Sequence, residues 1–153
     1  MTLSIGMLVP DFSLPDQQGA PVRLSEVRGS KNVVVAFYPF AFSGICTGEM
    51  CEIRDHLADL QNEQTAVLAV SCDPMFSLRA FGQAQGLTYP LLSDFWPHGE
   101  VARSYGVFDE DKGCATRGTF VIDPQGVLRW SVVNAIPDAR DVDEWTAALA
   151  QLS

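Results

Sequence analysis

The chain is predicted to fold as an α/β protein, with a central mixed β-sheet, helices on both faces and a small N-terminal β-hairpin. Three observations carry that expectation. Residues 33–38 and 66–71 are apolar runs of strand length with no polar alternation, as expected of strands covered on both faces. Each is followed by a segment of helical character, residues 49–60 and 75–85, giving the β-α-β-α order of parallel strands joined by right-handed crossovers. Residues 119–122 and 127–133 flank Asp123-Pro124-Gln125-Gly126, whose chemistry is that of a tight turn between antiparallel strands, so the sheet is mixed.

Taken in order, residues 11–14 and 22–24 border the polar turn Asp16-Gln17-Gln18-Gly19 and form the expected hairpin. The run at 33–38 is the first buried strand, and the segment from Glu49 to Leu60 the first long helix. Asp73-Pro74 supplies a cap and first position for the second helix, and Gly86 lies just past its end. Val142, Trp145 and Leu149 make a helical apolar stripe that docks on the sheet. Repeats, low-complexity tracts and linkers are missing from the pattern, and 153 residues with 47% hydrophobic content suffice for one core, so residues 1–153 are expected to form a single domain.

The charge balance, 10 basic against 19 acidic residues for a net charge of -9, disfavours nucleic acid and anionic membranes as partners. With no signal-peptide pattern, no run of membrane-spanning length and four cysteines, the expectation is a cytoplasmic protein whose thiols are catalytic or buried rather than a disulfide framework.

One of those thiols stands out. Cys46 falls where the strand 33–38 hands over to a helix, in Pro39-Phe40-Ala41-Phe42-Ser43-Gly44-Ile45-Cys46-Thr47-Gly48-Glu49-Met50-Cys51. Free N–H groups and the helix dipole at such a junction stabilise an anion, and a thiolate is a nucleophile. Pro39, Ser43 and Cys46 match the pattern Pro-x-x-x-Thr/Ser-x-x-Cys, and Arg117-Gly118-Thr119-Phe120 matches an Arg-x-Thr-Phe strand. On these motifs the chain resembles the peroxiredoxins of the thioredoxin-like fold over nearly its full length. Phe40-Ala41-Phe42, residues 91–99 and Tyr105-Gly106-Val107-Phe108 are similar to the alkyl hydroperoxide reductase E subgroup, whereas a second cysteine five residues after the first is similar to the peroxiredoxin Q subgroup.

The resemblance implies a thiol-dependent peroxidase acting on hydrogen peroxide and organic hydroperoxides, with Cys46 oxidised to a sulfenic acid. Arg117 would stabilise the sulfur and the charge growing on the peroxide oxygens, and a planar guanidinium suits that better than a lysine. Ser43 would hydrogen-bond the peroxide, in place of a commoner and stiffer threonine. Pro39 would wall the sulfur from water, and Glu49 would orient Arg117, although its position alone reads as an ordinary first-turn acid. No cofactor is implied. Zinc on Cys46, Cys51 and His56 would need ligands from three sides of one helix, and is not expected. His98 reads as part of a helix start.

Cys51 is read as the resolving residue, forming a disulfide with Cys46 that thioredoxin, a mycoredoxin-type protein or a low-molecular-weight thiol reduces. Five residues along a helix separate Cα atoms by about 8–9 Å, beyond the roughly 7 Å a disulfide spans, so the bridge requires unwinding, eased by Gly48. The alternatives are a one-cysteine peroxidase resolved by an external thiol and, as another resolver, Cys114, expected as an exposed thiol in the polar stretch 109–116. Cys72, at a strand end, is expected in the core. Two other functional classes compete: a thiol–disulfide oxidoreductase, weakened because such chemistry uses Cys-x-x-Cys, and a redox sensor. Tyr38, Phe40, Phe42, Phe95 and Trp96 lie near the motif as pocket lining, as core or, by resemblance, as the interface of a homodimer.

Overall fold

A computed structural model describes residues 3–57, 64–138 and 141–151. A hairpin of β1 (Ser13–Pro15) and β2 (Pro21–Arg23) opens the fold and runs into the short helix α1 (Leu24–Arg28). Asp16 makes its turn, the carboxylate accepting from the backbone N–H groups of Gln18 and Ala20 at 2.8 and 3.0 Å. Then follow β3 (Asn32–Phe37), α2 (Gly44–Asp55), β4 (Thr65–Ser71), α3 (Met75–Gln85), β5 (Leu91–Ser93) and α4 (Glu100–Ser104). The small hairpin of β6 (Phe108–Asp109) and β7 (Cys114–Ala115) leads to β8 (Arg117–Ile122), β9 (Leu128–Asn134) and α5 (Val142–Ala150).

The main sheet has the order β5-β4-β3-β8-β9, with β3 parallel to β4, β4 parallel to β5, and β8 antiparallel to both β3 and β9. It is the expected mixed sheet. Strand side chains alternate between faces, and here both faces are covered, which is why β3 reads as an unbroken apolar run. Val34 and Ala36 enter one core, with Met50 and Ile53 of α2, Leu78 and Phe81 of α3 and Trp145 of α5. Val33, Val35 and Phe37 enter the other, with Leu24 of α1, Val101 and Ala102 of α4, Tyr105 and Phe120. Each fully buried side chain of this kind contributes roughly 1.5–3 kcal/mol.

The Asp123 turn joins β8 to β9 as expected, its carboxylate accepting from the N–H groups of Gln125 and Val127 while Gly126 adopts φ +86°. Trp145 is buried and Leu149 packs against its core; the side chain of Val142, third member of the predicted stripe, lies outside the described residues.

Two boundaries differ from expectation. The first long helix starts at Gly44, not Glu49, so Cys46 sits inside its first turn; the predicted end at Leu60 lies outside the described residues. Glycine and serine hid that start, since neither Gly44 nor Gly48 favours a helix and the N-cap Ser43 makes no side-chain cap. At α3 the N-cap is Pro74, without a side-chain cap bond. The Asp73 carboxylate turns back instead to accept from Ala41 N–H and Ser71 Oγ, both at 2.8 Å.

Gly118 marks the tightest packing next to the site. A methyl group there would lie 2.7 Å from Val107 Cγ1 and 3.0 Å from Phe120 Cε2. Gly118→Ala is expected to cost about 1–3 kcal/mol through overpacking, read as a lower urea midpoint at unchanged slope.

Candidate active site

The site lies past the C-terminal end of β3, where ligand-binding crevices of α/β sheets form. The chain leaves the strand at Tyr38, runs through Pro39 to Phe42, and enters α2 at the N-cap Ser43. Two features fix this loop: Ala41 N–H is held by the Asp73 carboxylate, and Phe42 takes φ 69°, a left-handed conformation that costs a bulky residue energy. The Phe42 ring offsets part of that cost by packing edge-on against Phe81, with centroids 5.1 Å apart.

Cys46 and Glu49, three positions apart, occupy one face of α2 and meet the side chain of Arg117 at the start of β8. Arg117 Nη1 donates to Cys46 Sγ at 3.3 Å and to Glu49 Oε1, while its Nε donates to the Ile136 carbonyl at 2.6 Å. All three side chains are buried: Cys46 0%, Glu49 3% and Arg117 2% exposed. A guanidinium out of water requires anionic or carbonyl partners, and the same nitrogen here serves the carboxylate and the sulfur. An electrophile arriving at the sulfur would therefore meet a fixed cation beside it, suited to charge developing on a departing oxygen.

Arg117 also lines a cavity of about 350 Å³ together with Pro39, Phe40, Ser43, Gly44, Ile45, Lys112, Ile136 and Pro137. Its walls are largely apolar, and its cations are Arg117 at the wall shared with the sulfur and Lys112. Ser43 reaches the cavity but its Oγ donates to the Phe40 carbonyl at 3.1 Å rather than capping the helix. The structure thus brings together five of the six residues singled out in the sequence: Pro39, Ser43, Cys46, Glu49 and Arg117. Three neighbours carried no sequence signal. Ile136 acts through its backbone carbonyl, which any residue supplies, and Lys112 and Pro137 become neighbours only through the fold.

Cys51 lies apart from this group. It is half-buried on the other side of α2, where its Sγ lies 3.4 Å from Gln85 Oε1 as hydrogen-bond donor. All four cysteines are free thiols. Cys114 corrects an expectation: it is not an exposed loop thiol but fully buried, because β6 and β7 pair through Asp109 and Cys114 and close over it. Burial pushes its pKa up, with the Asp109 carboxylate adding to the effect. Cys72 is buried as expected, and burial, reinforced by the Asp94 carboxylate, pushes its thiol up to about 12. His98 precedes the N-cap of α4 and bridges two loops, with Nδ1 3.0 Å from the Phe95 carbonyl and Nε2 2.7 Å from that of Gly113. Among the described residues no group of three or more His, Cys, Asp or Glu side chains is placed to hold a metal ion.

Comparison with known proteins gives a consistent family. The model of the AhpC/TSA family matches residues 5–131. Alkyl hydroperoxide reductase E of Mycobacterium tuberculosis is 46% identical over 151 residues, 99% of each chain. A thioredoxin peroxidase of Echinococcus granulosus is 36% identical over 154 residues, 94% of this chain and 78% of that protein. The crystal structure of peroxidoxin BcpB from Mycobacterium tuberculosis superposes with a TM-score of 0.88 at 33% identity, covering 99% of both chains.

The environments of Cys72 and Cys114 make a separable expectation. A raised pKa keeps a thiol protonated until the pH approaches it, so Cys72 and Cys114 should resist iodoacetamide at pH 8 in the folded protein and react once urea exposes them. Peptide mass mapping before and after unfolding reads this directly; labelling of either residue in the native state would contradict it.

Proposed function

The chain belongs to the AhpC/TSA family, and from that premise we propose that it works with Cys46 as the attacking sulfur and Cys51 as the resolving one. It is a thiol-dependent peroxidase of the peroxiredoxin type. The observation that carries the assignment of Cys46 is the shared Arg117 Nη1, which holds the sulfur at 3.3 Å and the Glu49 carboxylate in one buried cluster beside an apolar cavity.

In the proposed cycle the Cys46 thiolate attacks the terminal oxygen of the hydroperoxide. An S–O bond forms as the O–O bond breaks, and the departing oxygen leaves as an alkoxide, or hydroxide from hydrogen peroxide, that takes up a proton. Arg117 faces that growing negative charge and needs no reorganisation to meet it, because Glu49 and the Ile136 carbonyl already fix its plane. Ser43 Oγ, bound to the Phe40 carbonyl, is available to turn and hydrogen-bond the peroxide. The apolar cavity walls support organic hydroperoxides alongside hydrogen peroxide as substrates.

Cys51 then attacks the Cys46 sulfenic acid, the S–O bond breaks, water leaves, and an intramolecular disulfide remains. Gly44 and Gly48, both in the first turns of α2, support the unwinding this demands. An external thiol closes the cycle: thioredoxin, a mycoredoxin-type protein or a low-molecular-weight thiol. A cytoplasmic setting suits this cycle, since a reducing compartment supplies the external thiol that closes it. The exposed rings of Phe40, Phe42, Phe95 and Trp96 support a homodimer.

Intact mass with thiol counting after one equivalent of hydrogen peroxide tests the scheme. Wild type should lose two hydrogens and two thiols, and Cys51→Ser should hold one added oxygen and lose one thiol. A single-thiol sulfenic acid in wild type would leave the peroxidase standing and remove Cys51 from its cycle; no reaction within minutes would remove Cys46 as well. Arg117→Lys should slow the oxidation of Cys46 about 10²–10³-fold in stopped-flow measurements, since a point charge cannot serve the sulfur and Glu49 in one plane.

A further inference from the structure

Cys46 and Cys51 must approach each other by unwinding α2, and the contacts of that helix are unequal along its length. The first half is weakly built. Ser43 leaves its side-chain cap unmade, Gly44, Ile45 and Gly48 are exposed, and a side chain at either glycine would touch nothing within 4 Å. This half is held to the body of the protein by the Arg117 contacts with Cys46 and Glu49 and by the buried Cys46 side chain in the core, and both contacts of Cys46 change when its sulfur gains an oxygen.

The second half is fastened on three sides. Met50 and Ile53 are fully buried in the core. Tyr89, itself fully buried, donates its hydroxyl to the Met50 carbonyl at 2.6 Å. Gln85, the last residue of α3, takes the Cys51 thiol on its side chain at 3.4 Å and Arg54 Nη1 on its backbone carbonyl at 2.5 Å. The break between the two regimes falls between Gly48 and Met50, inside the Cys46–Cys51 interval.

Building on the resolving role of Cys51, we propose that Tyr89 and Gln85 are positioning residues that keep residues 50–55 folded, so that in resolution Cys46 travels to a stationary Cys51 and unwinding stops at Met50. The chemistry is that of the cycle above: the Cys51 sulfur displaces the sulfenic oxygen of Cys46, which departs as water, with the hydroperoxide as the sole oxidant. Gln85 accepts from the Cys51 thiol until that reaction, holding its sulfur on the α3 side of the helix. The anchoring also limits how far the opening spreads. If residues 50–55 came loose as well, the resolving thiol would roam over a larger volume, its effective concentration at the sulfenic acid would fall, and a second hydroperoxide would have longer to drive Cys46 to the sulfinic state.

Hydrogen exchange on the full chain, reduced and after one equivalent of hydrogen peroxide, reads the boundary. In the disulfide form, amides of residues 47–53, which bond the carbonyls of residues 43–49, should exchange at least tenfold faster than in the reduced form, and those of residues 54–56, whose acceptors lie in residues 50–52, should stay within twofold. Tyr89→Phe keeps the ring in the core and removes only the hydroxyl. In its oxidised form the acceleration should spread to the amides of residues 54–56, by about fivefold, and the sulfinic fraction at excess peroxide should rise above wild type. A disulfide that forms with the amides of residues 54–56 as accelerated as those of residues 47–53 in wild type would overturn the anchoring and leave Cys51 as resolver. An oxidised sample that keeps three thiols and shows no disulfide by mass would overturn the resolving role, and the anchoring with it.

Discussion

A guanidinium that is 2% exposed must be surrounded by acceptors, and the candidate site is the set of acceptors that surrounds Arg117. Removing one partner from a buried charge pair typically costs 3–5 kcal/mol, more than most surface ion pairs contribute in total. That cost explains why Glu49 is buried beside Arg117 instead of facing water, and why α2 is oriented with the Cys46 and Glu49 side toward β8. The Ile136 carbonyl completes the set from the chain that follows β9, so helix, strand and connecting segment are tied to one side chain. The geometry of the sulfur is a by-product of satisfying a cation.

The sheet supplies the rigidity this arrangement needs. β3 and β8 are neighbours in the sheet, so the end of one, which leads to the cysteine loop, and the start of the other, which carries Arg117, are held in fixed register by backbone pairing from Val33–Ile122 to Ala36–Thr119. On the other side of β3, Asp73 at the end of β4 takes the Ala41 N–H, so the loop is clamped from both neighbouring strands. Strain at Phe42 persists because its surroundings over-determine it. Gly118 completes the fit by leaving no side chain where Val107 packs against β8.

Much of this was legible in the residues. The alternation of apolar runs with helical segments gave the mixed sheet because burial on both faces leaves an unambiguous mark on a strand. Pro39, Ser43, Cys46 and Arg117 were visible through the motifs they complete, and Glu49 only through the family resemblance, since its position alone reads as an ordinary first-turn acid. What escaped were features that depend on backbone or on distant chain. The start of α2 was hidden by glycines that a helix does not favour, the side chain of Asp73 was committed to a loop rather than to the helix it precedes, and Cys114 was sheltered by a hairpin of two-residue strands too short to leave a period. Gln85 and Tyr89 carried no signal of their own beyond a helix end and an aromatic side chain; their engagement with α2 exists only across separations of 34 and 39 positions.

The separation of Cys46 from Arg117 is 71 positions, and the Ile136 carbonyl lies 19 beyond that. During synthesis the ribosome delivers the cysteine loop and α2 long before either of the groups that complete the cluster. Over that stretch, then, the growing polypeptide carries a sulfur with no guanidinium beside it and a carboxylate with no reason to leave water. The cluster is complete only once β8 lies beside β3 and the residues after β9 have folded back. Completeness is thereby written into topology: a product truncated before β8 lacks the guanidinium that defines the site rather than possessing a weaker version of it.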